Sequence, residues 1–261
     1  MEPKDRIIVA LDVDNLDKMK RLVEQLWDQI GCFKVGLELI HAVGTPWIIQ
    51  WFGENDFGGG KKVFLDAKLK DIPNTMKGAA KAITVCNVKM FNVHATAGIE
   101  GMMATKEGVE EIVKKMSGEV TVTGGDLPNP LILAVTVLTS FEENNVHLIY
   151  GAPSKAKVIQ LARDALLAGM DGIVCSPQEL EILGKQKELS KLLRVTPGIR
   201  PEWAVVGDQK RIGTPAGAIS AGADYLVIGR PITNPPAEIG SPLEAVKRIQ
   251  EEIASVEDKE K

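Results

Sequence analysis

Residues 63–75 read Val63-Phe64-Leu65-Asp66-Ala67-Lys68-Leu69-Lys70-Asp71-Ile72-Pro73-Asn74-Thr75 and set charged side chains into an apolar strand pattern. Strand side chains alternate between two faces, so Asp66 and Lys68 share one face with Phe64. Pro73 cannot donate a backbone hydrogen bond and disfavours a helical residue before it, so the strand should end and a helix begin near Asp71. We therefore expect three charged side chains to converge at one strand end.

The charged side chains of this strand could serve function or structure. A buried ion-pair network that only holds the fold together is the structural alternative. Desolvating each ion costs several kcal/mol, and a buried pair is often no more stabilising than apolar residues of similar size. Charges kept in an apolar strand therefore favour a functional role.

Apolar runs alternate with longer amphipathic segments along the whole chain, which is typical of repeated βα units around a parallel sheet. The strands are predicted at 7–13, 33–39, 62–69, 90–96, 131–139, 172–176, 192–197 and 225–230. The helices are predicted at 15–30, 74–86, 99–116, 154–168, 177–190, 214–221 and 242–256, with a short helix at 46–52 and loops at 53–62 and 118–130. Eight such units are best closed as a (β/α)8 TIM barrel, an α/β fold. We expect one domain over residues 1–261, with a disordered charged tail from about residue 257.

Bulk composition narrows the class of protein. The chain of 261 residues is 44% hydrophobic and 25% charged, which is enough for a substantial core. A net charge of -4 gives no general attraction to nucleic acid or to acidic membranes. The most apolar run, residues 131–138, is too short to span a bilayer, and the N-terminus lacks the apolar core of a signal peptide. The three cysteines are odd in number and widely spaced, so we expect a reducing, cytoplasmic setting.

Polar side chains follow several of the predicted strands at their carboxyl ends, which is the functional face of such a barrel. In chain order they are Asp12, Lys34, the Asp66, Lys68 and Asp71 group, and Thr139. We therefore expect these side chains to reach one substrate from several directions.

Glycine and arginine recur where the last two strands end. The segments Thr196-Pro197-Gly198-Ile199-Arg200 and Ile228-Gly229-Arg230-Pro231 lie where barrels of this class bind phosphate. Glycine lets backbone amides approach the ligand, and arginine adds a permanently charged, bidentate donor. The polar loop at 207–211 is long enough to fold over a bound phosphate, which makes Gln209 a candidate closing contact.

Taken together, these segments resemble the orotidine 5'-phosphate decarboxylase family from about residue 6 to about residue 250. The segments that carry the resemblance are Asp66-x-Lys68-x-x-Asp71-Ile-Pro-Asn-Thr75, Leu-Asp12, Phe-Lys34-Val-Gly, Val-Thr-Val-Leu-Thr139-Ser, Val-Thr-Pro-Gly-Ile-Arg200-Pro, Gly-Asp-Gln209-Lys-Arg and Ile-Gly-Arg230-Pro. The Asp-x-Lys-x-x-Asp element is shared with related sugar-phosphate decarboxylases and aldolases. The Ile-Pro-Asn-Thr continuation and the Gly-Asp-Gln loop narrow the resemblance to this family.

The resemblance implies a role for each matched residue. Lys34, Asp66, Lys68 and Asp71 would form a charged tetrad, with Asp71 and Thr75 reaching into the site of a partner subunit in a homodimer. Asp12 and Lys34 would bind ribose hydroxyls, and Thr139 would contact the pyrimidine. Gln209, Arg230 and the backbone of Gly229 would hold the phosphate. Arg200 would lie at the rim of the loop that carries Gln209.

The implied reaction is the cofactor-free decarboxylation of orotidine 5'-phosphate to uridine 5'-phosphate, with no metal. Lys68 would stabilise the C6 carbanion and protonate it. Two alternatives stay open. A sugar-phosphate decarboxylase or aldolase of the same barrel group would use the carboxylates to bind magnesium, and a non-catalytic barrel would keep only the nucleotide contacts.

Overall fold

The predicted barrel is confirmed by a computed structural model, which describes residues 1–55, 57, 59–123, 129–204 and 211–257. Eight parallel strands close in sequence order, and the first pairs with the last through Ile7 and Leu226. The strands are β1 (Ile7–Ala10), β2 (Cys32–Val35), β3 (Val63–Leu69), β4 (Met90–His94), β5 (Leu131–Val135), β6 (Gly172–Val174), β7 (Leu193–Thr196) and β8 (Tyr225–Ile228). No helix within the described ranges is long and apolar enough to cross a membrane.

Most strands end earlier than their apolar patterns predict. β1 ends at Ala10 instead of residue 13, and β5 ends at Val135 instead of residue 139. The apolar residues beyond these ends, such as Leu11 and Val137, are buried although they lie outside the strands. An apolar residue indicates burial, but it does not show whether its backbone is hydrogen-bonded to a neighbouring strand. The apolar patterns therefore continue beyond the strands into buried loops.

Helices separate successive strands and surround the barrel. They are α1 (Leu16–Leu26), α2 (Leu37–Val43), α3 (Thr45–Glu54), α4 (Pro73–Val85), α5 (Gly98–Thr123), α6 (Glu143–Tyr150), α7 (Ser154–Leu167), α8 (Leu180–Gly184), α9 (Pro215–Ser220), α10 (Arg230–Thr233) and α11 (Pro242–Glu257). In α1 the Asn15 side chain caps the first turn by accepting from the amide of Lys18 at 3.0 Å. The helix buries an apolar stripe that includes Met19, Val23 and Leu26.

The helices differ from the predictions in three respects. The loop predicted from residue 118 is helical to Thr123, because α5 runs on to that residue. The helix predicted at 177–190 is broken into two 3-10 turns flanking α8, which ends at Gly184, a poor helix former. The short helices α2, α6 and α10 were not predicted, since each has too few residues to show a clear period. The tail at 258–261 lies outside the described residues.

The apolar side chains form two layers. Odd-numbered residues of β1 such as Ile7 and Val9 pack outward against the helices, whereas Ile8 and Ala10 point into the barrel. In β3, Phe64 points inward and Val63 and Leu65 point outward. Strand alternation therefore carries Asp66 and Lys68 into the barrel interior above Phe64, as predicted.

Candidate active site

A cavity of about 460 Å³ opens at the carboxyl ends of the strands. Eight of the predicted site residues line it: Asp12, Lys34, Asp66, Lys68, Thr139, Arg200, Gly229 and Arg230. Since β8 and β2 both pair with β1, the arginines that follow β7 and β8 lie on one side of Asp12 and the lysines on the other. The cavity therefore has a guanidinium side and an ammonium side.

A chain of charges crosses the ammonium side. Lys34 Nζ lies 2.8 Å from Asp12 Oδ1 and 3.1 Å from Asp66 Oδ2. Lys68 Nζ lies 2.6 Å from Asp66 Oδ1. Asp66 is only 7% exposed and is shared by two ammonium groups, whereas the Asp12 side chain is 61% exposed. Asp66 is thus the centre of the cluster, and Asp12 keeps oxygen surface open to a ligand.

The electrostatics of the cluster favour its charged forms. Burial alone would raise the pKa of Asp66, but the ammonium groups of Lys34 and Lys68 outweigh it and hold that pKa at about 2. Burial works against the charge of Lys34 as well, and the carboxylates of Asp66 and Asp12 reverse this effect and raise its pKa. The alternating charges therefore stabilise one another.

Gly36 shows how closely this cluster approaches the backbone. A Cβ built on Gly36 would lie 3.0 Å from Lys34 Nζ and 3.2 Å from Asp12 Oδ1. These separations are tighter than ordinary contacts, so a larger residue would push the Lys34 ammonium away from Asp12. Gly36, directly after β2, therefore leaves room for the ion pair.

Asn92 is a site residue that the sequence reasoning missed. It lies in β4, lines the cavity and is only 1% exposed. Its amide donates to Asp66 Oδ1 at 2.6 Å and accepts from the backbone N–H of Lys68 at 2.7 Å. The available signal was a single amide side chain within the apolar run Met90-Phe91-Asn92-Val93.

Two arginines form the other side of the cavity. Arg200 is 7% exposed and donates to the carbonyl of Ile199 at 3.1 Å. Burial, followed by the neighbouring charge of Arg230, lowers the pKa of Arg200. Arg230 is exposed at the start of α10, and its charge disfavours the charge of the buried Arg200, so an anion bound by both guanidinium groups would relieve that repulsion. This side of the cavity is thus suited to a phosphate.

The loop that carries Gln209 is anchored at both ends. Ile199 forms a β-bridge with Gly213, and the amide of Arg200 donates to the carbonyl of Gly213 at 2.9 Å. Gly198 allows the turn before this bridge because its φ is 81°, a conformation that disfavours other residues. Gln209 itself lies outside the described residues.

A second missed feature is a buried ion pair beside the cavity. Arg211 pairs with Glu179, whose other oxygen accepts from the amide of Ser176 at 2.8 Å. Arg211 also donates to the carbonyl of Leu138 at 2.7 Å. Burial raises the pKa of Glu179 in spite of the opposing charge of Arg211. The pair joins the ends of β5 and β6 to the base of the Gln209 loop.

Asp71 and Thr75 are the two predicted residues that the structure leaves outside the cavity. Both are exposed at the start of α4. Asp71 Oδ1 accepts from the amide of Ile72 at 2.7 Å, while the Ile72 side chain is itself 65% exposed. Within one chain these residues do not reach the charged cluster.

The cavity therefore combines a positioned ammonium group, paired carboxylates and an anion-binding side. Among the residues that the structure describes, no three His, Cys, Asp or Glu side chains are grouped as a metal site. Both oxygens of Asp66 already face ammonium groups. This arrangement can stabilise and protonate a carbanion that develops near Lys68.

Comparisons with known proteins agree with this geometry. The model of the orotidine 5'-phosphate decarboxylase / HUMPS family matches residues 5–249. The orotidine 5'-phosphate decarboxylase of Heliobacterium modesticaldum is 43% identical over 97% of this chain and 98% of its own, and that of Syntrophomonas wolfei is 40% identical over 97% and 99%. The crystal structure of orotidine 5'-phosphate decarboxylase from Lactobacillus acidophilus matches with a TM-score of 0.73 at 33% identity, over 95% of this chain and 98% of that one.

Proposed function

The chain belongs to the orotidine 5'-phosphate decarboxylase family and acts as a carboxy-lyase that converts orotidine 5'-phosphate to uridine 5'-phosphate and CO2 in pyrimidine biosynthesis, and we propose that Lys68 carries the reaction. The observation that supports this role is the Lys68 ammonium, held 2.6 Å from Asp66 inside the cavity.

Loss of CO2 breaks the bond between C6 and the carboxylate and leaves the electron pair on C6. No carbonyl of the pyrimidine can delocalise this pair, so it must be stabilised by nearby positive charge. Lys68 supplies an ammonium group for this purpose and then transfers one Nζ proton to C6. The neutral amine regains a proton from solvent after the product leaves.

Asp66 acts by orienting Lys68. The carboxylate has a pKa of about 2, so it stays charged at neutral pH and accepts hydrogen bonds from Lys68 and Asn92. Its negative charge would also repel a substrate carboxylate bound beside Lys68, and expulsion of CO2 would relieve that repulsion. Asp12 and Lys34, joined at 2.8 Å, are placed to bind ribose hydroxyls.

The arginine side of the cavity binds the phosphate. Arg200 and Arg230 supply guanidinium groups, and the backbone of Gly229 can approach the phosphate closely. Gln209 would close its loop over the ligand. Thr139 contacts the pyrimidine from the loop that follows β5. The phosphate is remote from C6, so its binding energy can assemble the site and exclude water.

The active unit is a homodimer in which Asp71 and Thr75 complete the partner's site. Both side chains are exposed, and Ile72 between them presents an apolar side chain that is 65% exposed. An exposed isoleucine beside polar residues suits an interface. We also propose a cytoplasmic location, which the three cysteines without disulfides support.

The test of Lys68 is the variant Lys68→Ala, with Lys70→Ala as its matched control, since Lys70 is exposed directly after the same strand. We expect Lys68→Ala to abolish decarboxylation, followed by ultraviolet absorbance, and to leave uridine 5'-phosphate binding measurable by calorimetry. Lys70→Ala should keep nearly full turnover. Retained turnover in folded Lys68→Ala would refute the role of Lys68.

The test of the shared site is a mixture of two inactive variants, Lys68→Ala and Asp71→Ala. Hybrid dimers would contain one intact site, so we expect activity to return as subunits exchange. Hybrids detected by native mass spectrometry without recovered activity would contradict the trans role of Asp71.

A magnesium-dependent sugar-phosphate enzyme of the same barrel group remains a distinct hypothesis. A metal on Asp66 would have to displace the ammonium group of Lys34 or Lys68. We expect turnover of orotidine 5'-phosphate to survive excess chelator, whereas strict dependence on added metal would favour the alternative.

A further inference from the structure

The lysine at the centre of the site has a rare backbone conformation. Lys68 has φ of 50°, in the left-handed region that residues other than glycine seldom adopt. Asn87 is the other non-glycine residue with positive φ in the described part of the chain, and it lies in a turn outside the cavity. Strain of this kind persists only where surrounding contacts enforce it.

The strand register shows where the strain arises. Leu65 pairs with Phe91, and Leu69 pairs with Val93. Residues 66–68 of β3 are therefore opposed by Asn92 alone on β4. This bulge disrupts the regular ladder and turns the side chains that follow Asp66.

The Asn92 side chain occupies the gap that the bulge creates. Its oxygen accepts from the Lys68 N–H at 2.7 Å, where a regular ladder would offer a backbone carbonyl. Its nitrogen donates at 2.6 Å to Asp66 Oδ1, the same oxygen that accepts from Lys68 Nζ. One amide therefore holds both the backbone of Lys68 and the carboxylate that orients its ammonium group.

We propose that Asn92 is a positioning residue for the decarboxylation, which holds Lys68 in its left-handed conformation and aligns Asp66 with the ammonium group. The proposal rests on the proposed function of Lys68. Because Asn92 is uncharged and 1% exposed, its two hydrogen bonds are not exchanged with solvent. Without it, the bulge can relax and shift Nζ relative to C6. A displacement of about 1 Å can cost on the order of 100-fold in rate.

The experiment compares Asn92→Ala, Asn92→Asp and the control Thr105→Val. Thr105 is equally buried, and its hydroxyl donates to Gly101 within α5, outside the cavity. For Asn92→Ala we expect kcat to fall on the order of 100-fold, with a much smaller change in affinity for uridine 5'-phosphate. Amide hydrogen exchange at Lys68 should accelerate in the same variant.

Asn92→Asp separates the two hydrogen bonds. When ionised, the carboxylate can still accept from the Lys68 amide but repels Asp66 instead of donating to it, so at pH values that ionise it slow exchange at Lys68 should persist while kcat falls. Thr105→Val should change neither kcat nor Lys68 exchange, even if it lowers the melting temperature.

Two results would overturn the proposal. One is a folded Asn92→Ala variant with kcat close to that of the unmodified protein. The other is unchanged exchange at Lys68 in that variant, which would show that Asn92 does not hold its backbone. Hydrogen exchange at Lys68 does not depend on the reaction, so it tests the role of Asn92 separately from the role of Lys68. Turnover retained in Lys68→Ala would instead refute the proposed function of Lys68.

Discussion

Replacement of Asp66 by asparagine tests how much the charged cluster stabilises the fold. The folded chain holds the pKa of Asp66 at about 2, against a usual value of 3.8. Each pKa unit corresponds to about 1.4 kcal/mol. The charge of Asp66 therefore adds roughly 2 kcal/mol to the free energy of unfolding at neutral pH. The side chain is 9% exposed, so solvent screening is small.

The pH dependence of this contribution follows from the direction of the change. A carboxyl group whose pKa is depressed by folding stabilises the folded state above its unfolded pKa. That stabilisation is lost as pH falls from about 4 toward about 2, where the folded state must also take up the proton. We therefore expect Asp66→Asn to lower the free energy of unfolding by roughly 2 kcal/mol from pH 5 to 8, and by about half as much at pH 3.

Urea unfolding at fixed protein concentration, followed by tryptophan fluorescence, would measure this difference at several pH values. Asp17→Asn is the control, since Asp17 is exposed in the first turn of α1, away from the cavity. A stability equal to or above that of the unmodified protein at pH 7 would refute the reasoning. It would mean that desolvation of Asp66 outweighs its attraction to Lys34 and Lys68.

Two further predictions concern the arginines. Glu179→Ala should lower the free energy of unfolding by roughly 3 kcal/mol in urea denaturation, because the charge of Arg211 is then buried without its partner carboxylate. Adding Arg211→Met should recover part of that loss, and a double variant no more stable than the single variant would contradict this. Arg230→Ala should lower kcat/KM for orotidine 5'-phosphate by about 10- to 100-fold, the equivalent of one hydrogen bond to a charged group. The control Arg248→Ala should have little effect, since Arg248 is exposed on α11 and pairs with Glu244 at 3.6 Å. Equal losses in the two variants would argue against a phosphate contact of Arg230.

The barrel and its charged residues could be predicted because each leaves a local signal. Eight apolar runs gave the strands, and charges within one of them marked Asp66 and Lys68. The bulge in β3 gave no such signal, because it is defined only by its pairing with β4. Strand alternation still placed both side chains correctly, although it could not show that the Lys68 backbone is left-handed.

Asn92 and the Arg211–Glu179 pair were missed for different reasons. Asn92 is uncharged, and a single amide in a strand more often satisfies a local hydrogen bond than serves a site. Arg211 and Glu179 lie on different βα units, and nothing in either segment identifies its partner. Contacts between distant segments depend on the closed barrel, so a single sequence does not reveal them.

The closure of the barrel between β1 and β8 has a consequence for folding. Ile7 pairs with Leu226, so this seam joins the two ends of the chain and forms only after a very long loop is closed. A Cβ at Gly229 would lie 3.9 Å from Asp12 Oδ2, so the residues proposed to bind the ribose and the phosphate lie on opposite edges of the seam. A nucleotide held by both would tie the first strand to the last. At a concentration of about 100 times its Kd, such a nucleotide would add about 2.7 kcal/mol to the free energy of unfolding. The substrate would thus act as a removable cross-link between the two ends of the chain.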